Sequence, residues 1–380
     1  MTGQNMKRLG DYIRPVDVRN RDLKVTRLVG LTIDKAFIPS VANTVGTDLS
    51  NYKVISENQF ACSLMQVSRD GKMPIAMFKG EPCIMSPAYP MFEVSKTNEL
   101  LPEYLMMWFS RSEFDREASF YAVGGVRGSL EWNDFCDMQI PVPTIEKQRE
   151  IVAEYNTLAT RIETNKKLIA TLEQTAQTLY RHTFVDNIDP NNLPEGWRMG
   201  SVEEMSEKII AGVIPKYNEK GLFAVLGQKC IRNHSVDLDL VKHHDPKENC
   251  EYLKYGDILI NSTGDGTLGR SGQVLFDPDR LAFDSNMTLV RPLKEHYIEY
   301  LGYLIFGKQD YFVRISQGST NQTRLYCSMV RPVELVIPTE DVLKSFSKKV
   351  RCMNSLIHAK RMEIKNLLKT QTLLLSKMGV

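Results

Sequence analysis

EKQREIVAEYNTLATRIETNKKLIATLEQTAQTLYRHTF, residues 146–184, contains no proline and no glycine and is rich in good helix formers, which predicts one continuous helix. Its apolar residues recur in alternating steps of four and three: Ile151, Tyr155, Leu158, Ile162, then Ile169, Leu172, Ala176 and Leu179. That spacing is a coiled-coil seam, narrower than the face of an ordinary globular helix. The stretch from Glu340 to Met378 repeats it, with Phe346, Val350, Met353, Ile357, Ile364, Leu367 and Leu374 each one constant interval downstream of its counterpart. Two matched rods, each placed after a globular block, set the architecture.

Working outward, the blocks themselves repeat, and a repeat missed is a fold misread. The first opens with MKRLGDYI, carries a helical segment from Pro102 to about Ser119, and closes with Gly124-Gly125-Val126-Arg127-Gly128 and MQIPVP. After the polar linker VDNIDPNNL, the second opens with Pro194-Glu195-Gly196-Trp197. It carries GDILINS and GQVLF, then a helical segment from Tyr297 to about Ile315, and closes with Gly318-Ser319-Thr320-Asn321-Gln322-Thr323 and VELVIP. Pro-Glu-Tyr-Leu at 102–105 matches Ile-Glu-Tyr-Leu at 298–301, and each block ends in Pro143 or Pro338 just before its rod. The expected division is 1–145, rod 146–184, linker 185–196, second block 197–339 and rod 340–380. Short strands with one convincing helix per block predict an α+β fold.

Composition narrows the function classes. Hydrophobic content of 42% and charged content of 25% are those of a soluble globular chain, and no apolar run approaches the roughly 20 residues of a membrane span. MTGQNMKRLG has no signal-peptide pattern. The 7 cysteines include no Cys-x-x-Cys pair and the 6 histidines form no ligand pattern, so reduced thiols in the cytoplasm and no metal are expected. A net charge of +2 is low for a free-standing DNA binder, so any nucleic-acid contact is local or shared with partners.

Gly264-Asp265-Gly266-Thr267-Leu268-Gly269 spells G-x-G-x-x-G after a strand, but a dinucleotide site needs a helix next. Arg270-Ser271-Gly272 and GQVLF come instead, so a glycine-rich hairpin is expected. No catalytic motif stands out. The remaining candidates are loops: Ser68 to Lys72 against Thr263 to Arg270, and Gly124 to Ser129 against Gly318 to Arg324. Arg127, Asn321, Gln322 and Arg324 have the chemistry for base edges. Lys72, Ser129, Thr263, Thr267, Ser319 and Thr320 suit phosphate contacts, and Arg69 and Arg270 complete the DNA-binding candidates.

These features resemble the specificity subunit of a type I restriction–modification system. The likeness is carried by Pro194-Glu195-Gly196-Trp197, Ile140-Pro141-Val142-Pro143 before Glu146-Lys147-Gln148, Gly256-Asp257-Ile258-Leu259 and Gly318-Ser319-Thr320, and covers essentially the full length. It implies two tandem pseudo-symmetric target-recognition domains separated by two long antiparallel spacer helices. It also implies a non-catalytic chain that binds double-stranded DNA, docks two methyltransferase subunits and joins endonuclease/translocase subunits. S-adenosylmethionine would sit on the methyltransferase, with no cofactor in this chain, and the setting would be the bacterial or archaeal cytoplasm, at the nucleoid, in phage defence. One departure, Ile337-Pro338-Thr339-Glu340-Asp341 at the start of the second rod, implies a different docking surface there.

A rod of residues 146–184 extends roughly 58 Å at about 1.5 Å per residue, more than the roughly 34 Å of one DNA turn. Two heads with different loops would then read two different half-sites across a fixed gap. Asn165 and Lys360 fall at equivalent seam positions near mid-rod, and a polar seam residue costs stability while fixing register. They are expected to pair. Two other functions remain on the sequence: a structural dimeriser whose rods pair between chains, and a nucleotide-binding enzyme using Gly264–Gly269.

Overall fold

The computed structural model describes residues 6–43, 46–65, 67–123, 128–186, 188–245, 250–318 and 323–378. They divide into two units, Met1–Thr164 with Ile364–Val380, and Asn165–Glu363.

In the first unit, β2 (Ile13–Pro15), β3 (Phe60–Cys62), β4 (Ile75–Met77) and β5 (Met91–Val94) form an antiparallel sheet in the order β2-β5-β3-β4, and β1 (Met6–Arg8) pairs with β6 (Gln139–Pro141). The second unit repeats this topology. Its β8 (Ser206–Ala211), β9 (Ile258–Asn261), β10 (Ser271–Gln273) and β11 (Met287–Pro292) lie in the order β8-β11-β9-β10, and β7 (Arg198–Ser201) pairs with β12 (Glu334–Ile337). The inner strands β3 and β9 are buried along their whole length, which is why they read as short unbroken runs of mostly apolar residues. Smaller satellite cores differ between the units: one gathers Val29, Ile55 and Met85, the other Leu226, Ile231 and Phe283.

Each single helix expected after the sheet is a pair. In the first unit α1 (Pro102–Phe109) is succeeded by α2 (Ser112–Ala122). Ser110 ends α1 by donating its hydroxyl to Met106 O at 2.8 Å, and the Arg111 guanidinium lies 4.1 Å from the Trp108 ring centre. The turn between them lets Phe109 and Phe114 both enter the core, with ring centres 4.9 Å apart. Later in the chain come α3 (Ile145–Phe184), then α4 (Ile298–Phe306) and α5 (Gln309–Ile315), separated at Gly307-Lys308, and finally α6 (Glu340–Lys377). No helix among the described residues is long and apolar enough to cross a membrane.

Each unit takes opposite ends of the two long helices into its core. Ile151, Val152 and Tyr155 near the start of α3 pack in the first unit with Leu375 and Met378 from the end of α6. Ala176, Tyr180 and Phe184 from the end of α3 pack in the second unit with Leu343, Phe346 and Val350. Along the seam Ile162, Asn165, Ile169 and Ile357 are also buried, while Leu158, Leu172, Met353, Lys360, Ile364 and Leu367 are half-buried.

The locks that hold the helix starts are unlike. Gln148 is fully buried: its Oε1 accepts from Leu101 N at 2.8 Å, and its Nε2 donates to Glu99 O at 2.7 Å and Pro143 O at 2.9 Å. The corresponding position of α6 is Leu343. There the fully buried Glu299 of α4 accepts from Ser347 Oγ at 2.6 Å and Arg351 Nε at 2.8 Å, and Arg351 also pairs with Glu295. The departure at 337–341 therefore falls where an internal fastening differs, and Gln148 itself faces inward while Glu146 and Lys147 beside it are exposed. A second correction concerns mid-rod. Lys360 pairs with Glu363 of its own helix at 2.7 Å, and the buried Asn165 leaves its Nδ2 without a partner, so the two do not pair. An ammonium gains more from a carboxylate one turn away than from a neutral amide.

Candidate nucleic-acid interface

Four chain segments of the second unit converge beyond the end of β9. The loop from Ser262 to Arg270 joins β9 to β10, which pair antiparallel, so the glycine-rich segment is a hairpin and leads into no helix. Gln228 fastens its root: Nε2 reaches Thr263 O at 2.6 Å, Thr263 Oγ1 at 2.9 Å and Asn286 O at 3.2 Å. Asn261 Nδ2 returns a bond to Gln228 O at 3.2 Å. Arg324 donates from Nη2 to Ser285 O at 2.7 Å, and Leu325 N donates to Ser262 O at 2.8 Å.

The first unit makes the same junction from different side chains. Its loop between β3 and β4 contains one turn of helix, Val67–Asp70, and Leu130 N donates to Leu64 O at 2.9 Å. This bond joins the β3–β4 loop to the segment after α2, as the Leu325–Ser262 bond joins the β9–β10 loop to the segment after α5. Ser68 Oγ adds a bond to Gly128 O at 3.4 Å. Gly128 has φ +72°, and a Cβ there would run into the Ser68 hydroxyl, so only glycine fits.

The candidate residues divide accordingly. Thr263 and Thr267 serve the hairpin itself, Thr267 Oγ1 donating to Thr263 O at 3.2 Å. Arg270 Nη2 donates to Gly266 O at 3.2 Å, so Arg270 braces the loop while half-buried. Arg69 is exposed and pairs with the adjacent Asp70 at 2.7 Å; that hydrogen bond holds the Asp70 carboxyl below its usual range and raises the guanidinium. Lys72 is exposed, 3.6 Å from Asp34, and Ser129 is half-buried next to Leu130. Arg127, Ser319, Thr320, Asn321 and Gln322 lie outside the described residues.

Sequence reasoning missed Gln228 and Asp265. Gln228 stands 35 residues from Thr263, and nothing local announces their contact. Asp265, between two glycines, carries the only negative charge of the loop, and in the sequence it is hidden inside a failed nucleotide motif. Below the interface, Arg291 forks onto the fully buried Asp257 at 2.8 and 2.7 Å and pairs with Glu251. These two carboxylates raise its proton affinity against the opposing pull of burial, so the guanidinium stays charged. This explains the Gly256-Asp257 motif as structural: Gly256 turns at φ +90° and Asp257 anchors Arg291 of β11.

No protein-family model matches the sequence, and no curated protein does. Among solved structures, the type I restriction–modification system S subunit from M. genitalium is similar over 100% of this chain and 97% of that one, at 12% identity and a TM-score of 0.66. This shows a shared fold. The HsdS subunit from Thermoanaerobacter tengcongensis and a chain from a structure of type I R-M system assembly also align over the full chain at 18% identity. Their TM-scores, 0.37 and 0.48, carry no argument.

Proposed function

We propose the following function, supported by the fold this chain shares with the type I S subunit from M. genitalium. This chain is the DNA-recognition subunit of a type I restriction–modification enzyme. Residues 1–145 and 197–339 are its two target-recognition domains, and α3 and α6 are the antiparallel spacer that sets the gap between two half-sites. The chain does no chemistry. It docks two methyltransferase subunits, which carry S-adenosylmethionine, and through them joins the endonuclease/translocase subunits, in the cytoplasm.

One observation carries the reading: the same two loops are joined by the same main-chain bond in both units, Leu130 to Leu64 and Leu325 to Ser262. An equal frame presents unequal side chains, as two heads reading two different half-sites require. Phosphate contacts would set register and base-edge contacts sequence.

The test is to co-express the chain with its methyltransferase subunits and map methylated adenines in the modified DNA. The expected result is a two-part asymmetric motif with a fixed gap. A continuous palindrome, or DNA binding by the methyltransferase that does not depend on this chain, refutes it.

A further inference from the structure

The β9–β10 hairpin is built to hold one group outward. Gly264, Gly266 and Gly269 adopt φ of +95°, +67° and +76°, and only glycine takes such angles without strain. Gly269 has no room for a side chain, since a Cβ would lie 2.8 Å from Gln309 O of α5. Gly266 is the reverse case, with nothing within 4 Å, so the tip is open. Between root and tip, Thr263 and Thr267 spend their hydroxyls on the loop and on Gln228, and Arg270 turns one guanidinium nitrogen back onto Gly266 O. Asp265 alone is different. It is exposed at the tip and bonds to none of the described residues.

A carboxylate brought to a duplex is repelled by the phosphates and gains only from a hydrogen-bond donor. In the major groove the donors are the exocyclic amino groups of cytosine N4 and adenine N6. The glycines on either side remove the bulk that would hold the backbone away from the groove. We infer that Asp265 is a specificity-determining residue, accepting a hydrogen bond from the exocyclic amino group of one cytosine or adenine in the half-site read by the second unit. Gln228 is its positioning residue, because a single amide nitrogen holds the loop root through three oxygens. The inference rests on the proposed function and names the chemistry that one loop reads.

The test uses the full chain assembled with its methyltransferase subunits. The wild-type motif is mapped first, then those of Asp265→Ala and Gln228→Glu. Asp265→Ala should relax one base position in one half-site and leave the other half-site and the thermal midpoint unchanged. Gln228→Glu keeps the shape and removes the donor, so it should weaken that same half-site only, by about tenfold in binding at about 1.4 kcal/mol per decade. At the relaxed position, purine in place of adenine, or 2-pyrimidinone in place of cytosine, removes the amino group. That should cost the wild type about tenfold in binding and cost Asp265→Ala nothing, which a structural role for Asp265 would not produce. A gapped motif unchanged in Asp265→Ala, relaxation of both half-sites, or equal analogue losses in both proteins overturns the inference alone. A wild-type motif with no gap overturns the proposed function and this inference with it.

Discussion

Replacing Gln148 with Leu should be among the costliest single changes in the first unit. The side chain is fully buried and bonded at both ends, to Leu101 N at 2.8 Å, Glu99 O at 2.7 Å and Pro143 O at 2.9 Å. Leu is close in volume and favours helix, so the substitution isolates the polar loss. Three main-chain groups lose their partner together, and each left buried and unsatisfied costs about 1–3 kcal/mol. Partial hydration of Pro143 O at the start of α3 reduces the total, which gives about 3–5 kcal/mol. That is a large part of the roughly 5–15 kcal/mol that holds a domain folded. The measurement is denaturant unfolding tracked by the fluorescence of Trp108 and Trp132, both in the first unit, with amide exchange resolving residues 97–110. Gln148→Glu keeps the acceptor for Leu101 N and should lose less when the carboxyl is protonated. If Gln148→Leu changes stability by under about 0.5 kcal/mol, the surface range, the assignment of this residue as an internal fastening is wrong.

Gly128→Ala combines a left-handed φ of +72° with a collision at Ser68; about 1–2 kcal/mol of backbone cost and reduced fidelity at the half-site of the first unit are expected, read by unfolding and by methylation mapping. Asn165→Leu removes a buried amide whose Nδ2 has no partner and should raise stability by about 1–2 kcal/mol, seen as a higher thermal midpoint; a lower midpoint would contradict that reading. Burial lowers the proton affinity of His244 and His296. The unfolded chain then binds more protons near its ordinary histidine pKa of about 6.5. Their contribution to stability is therefore complete above that pH and is lost as pH falls below it. A His244→Gln, His296→Gln chain should have a flatter unfolding profile between pH 7 and 5, and an unchanged profile would refute the assignment.

The long helices were legible because a 3.5-residue apolar period over this length has few other readings, and the repeat was legible because its segments keep their order. The hairpin at 264–269 was legible because Arg270-Ser271-Gly272 and an apolar strand, with no helical pattern, come directly after it. What the sequence concealed lies in contacts between distant residues. The break at Ser110-Arg111 falls where Phe109 and Phe114 both turn into the core and Arg111 lies on the Trp108 face, tertiary contacts that helix propensity does not anticipate. Gln148 reads as one more polar residue on a helix until the backbone at 99–101 is laid against it. The pairing expected between Asn165 and Lys360 failed because Glu363, three residues on, offers the ammonium a carboxylate that a neutral amide cannot match.

Comparison of the two units separates scaffold from surface more sharply than either unit does alone. Where both do the same thing with different residues, the task is structural: Gln148 in one and the Glu299–Ser347–Arg351 set in the other each fasten a long helix to the helix pair. Where the same main chain carries different chemistry, the frame is held constant and the presented surface varies. The loop after β3 carries Arg69 paired with Asp70, and Lys72; the loop after β9 carries Asp265, with Arg270 turned back onto Gly266 O. The first therefore folds its acid into an ion pair, while the second leaves its acid exposed. A general phosphate-binding role has no use for an exposed carboxylate, because the duplex backbone is uniformly negative. Such an acceptor gains only from a donor on a base edge, which cytosine and adenine offer in the major groove and guanine does not. Loops this different on a shared frame support two unlike half-sites, and they predict that exchanging the two loops exchanges sequence preferences while leaving the gap length alone.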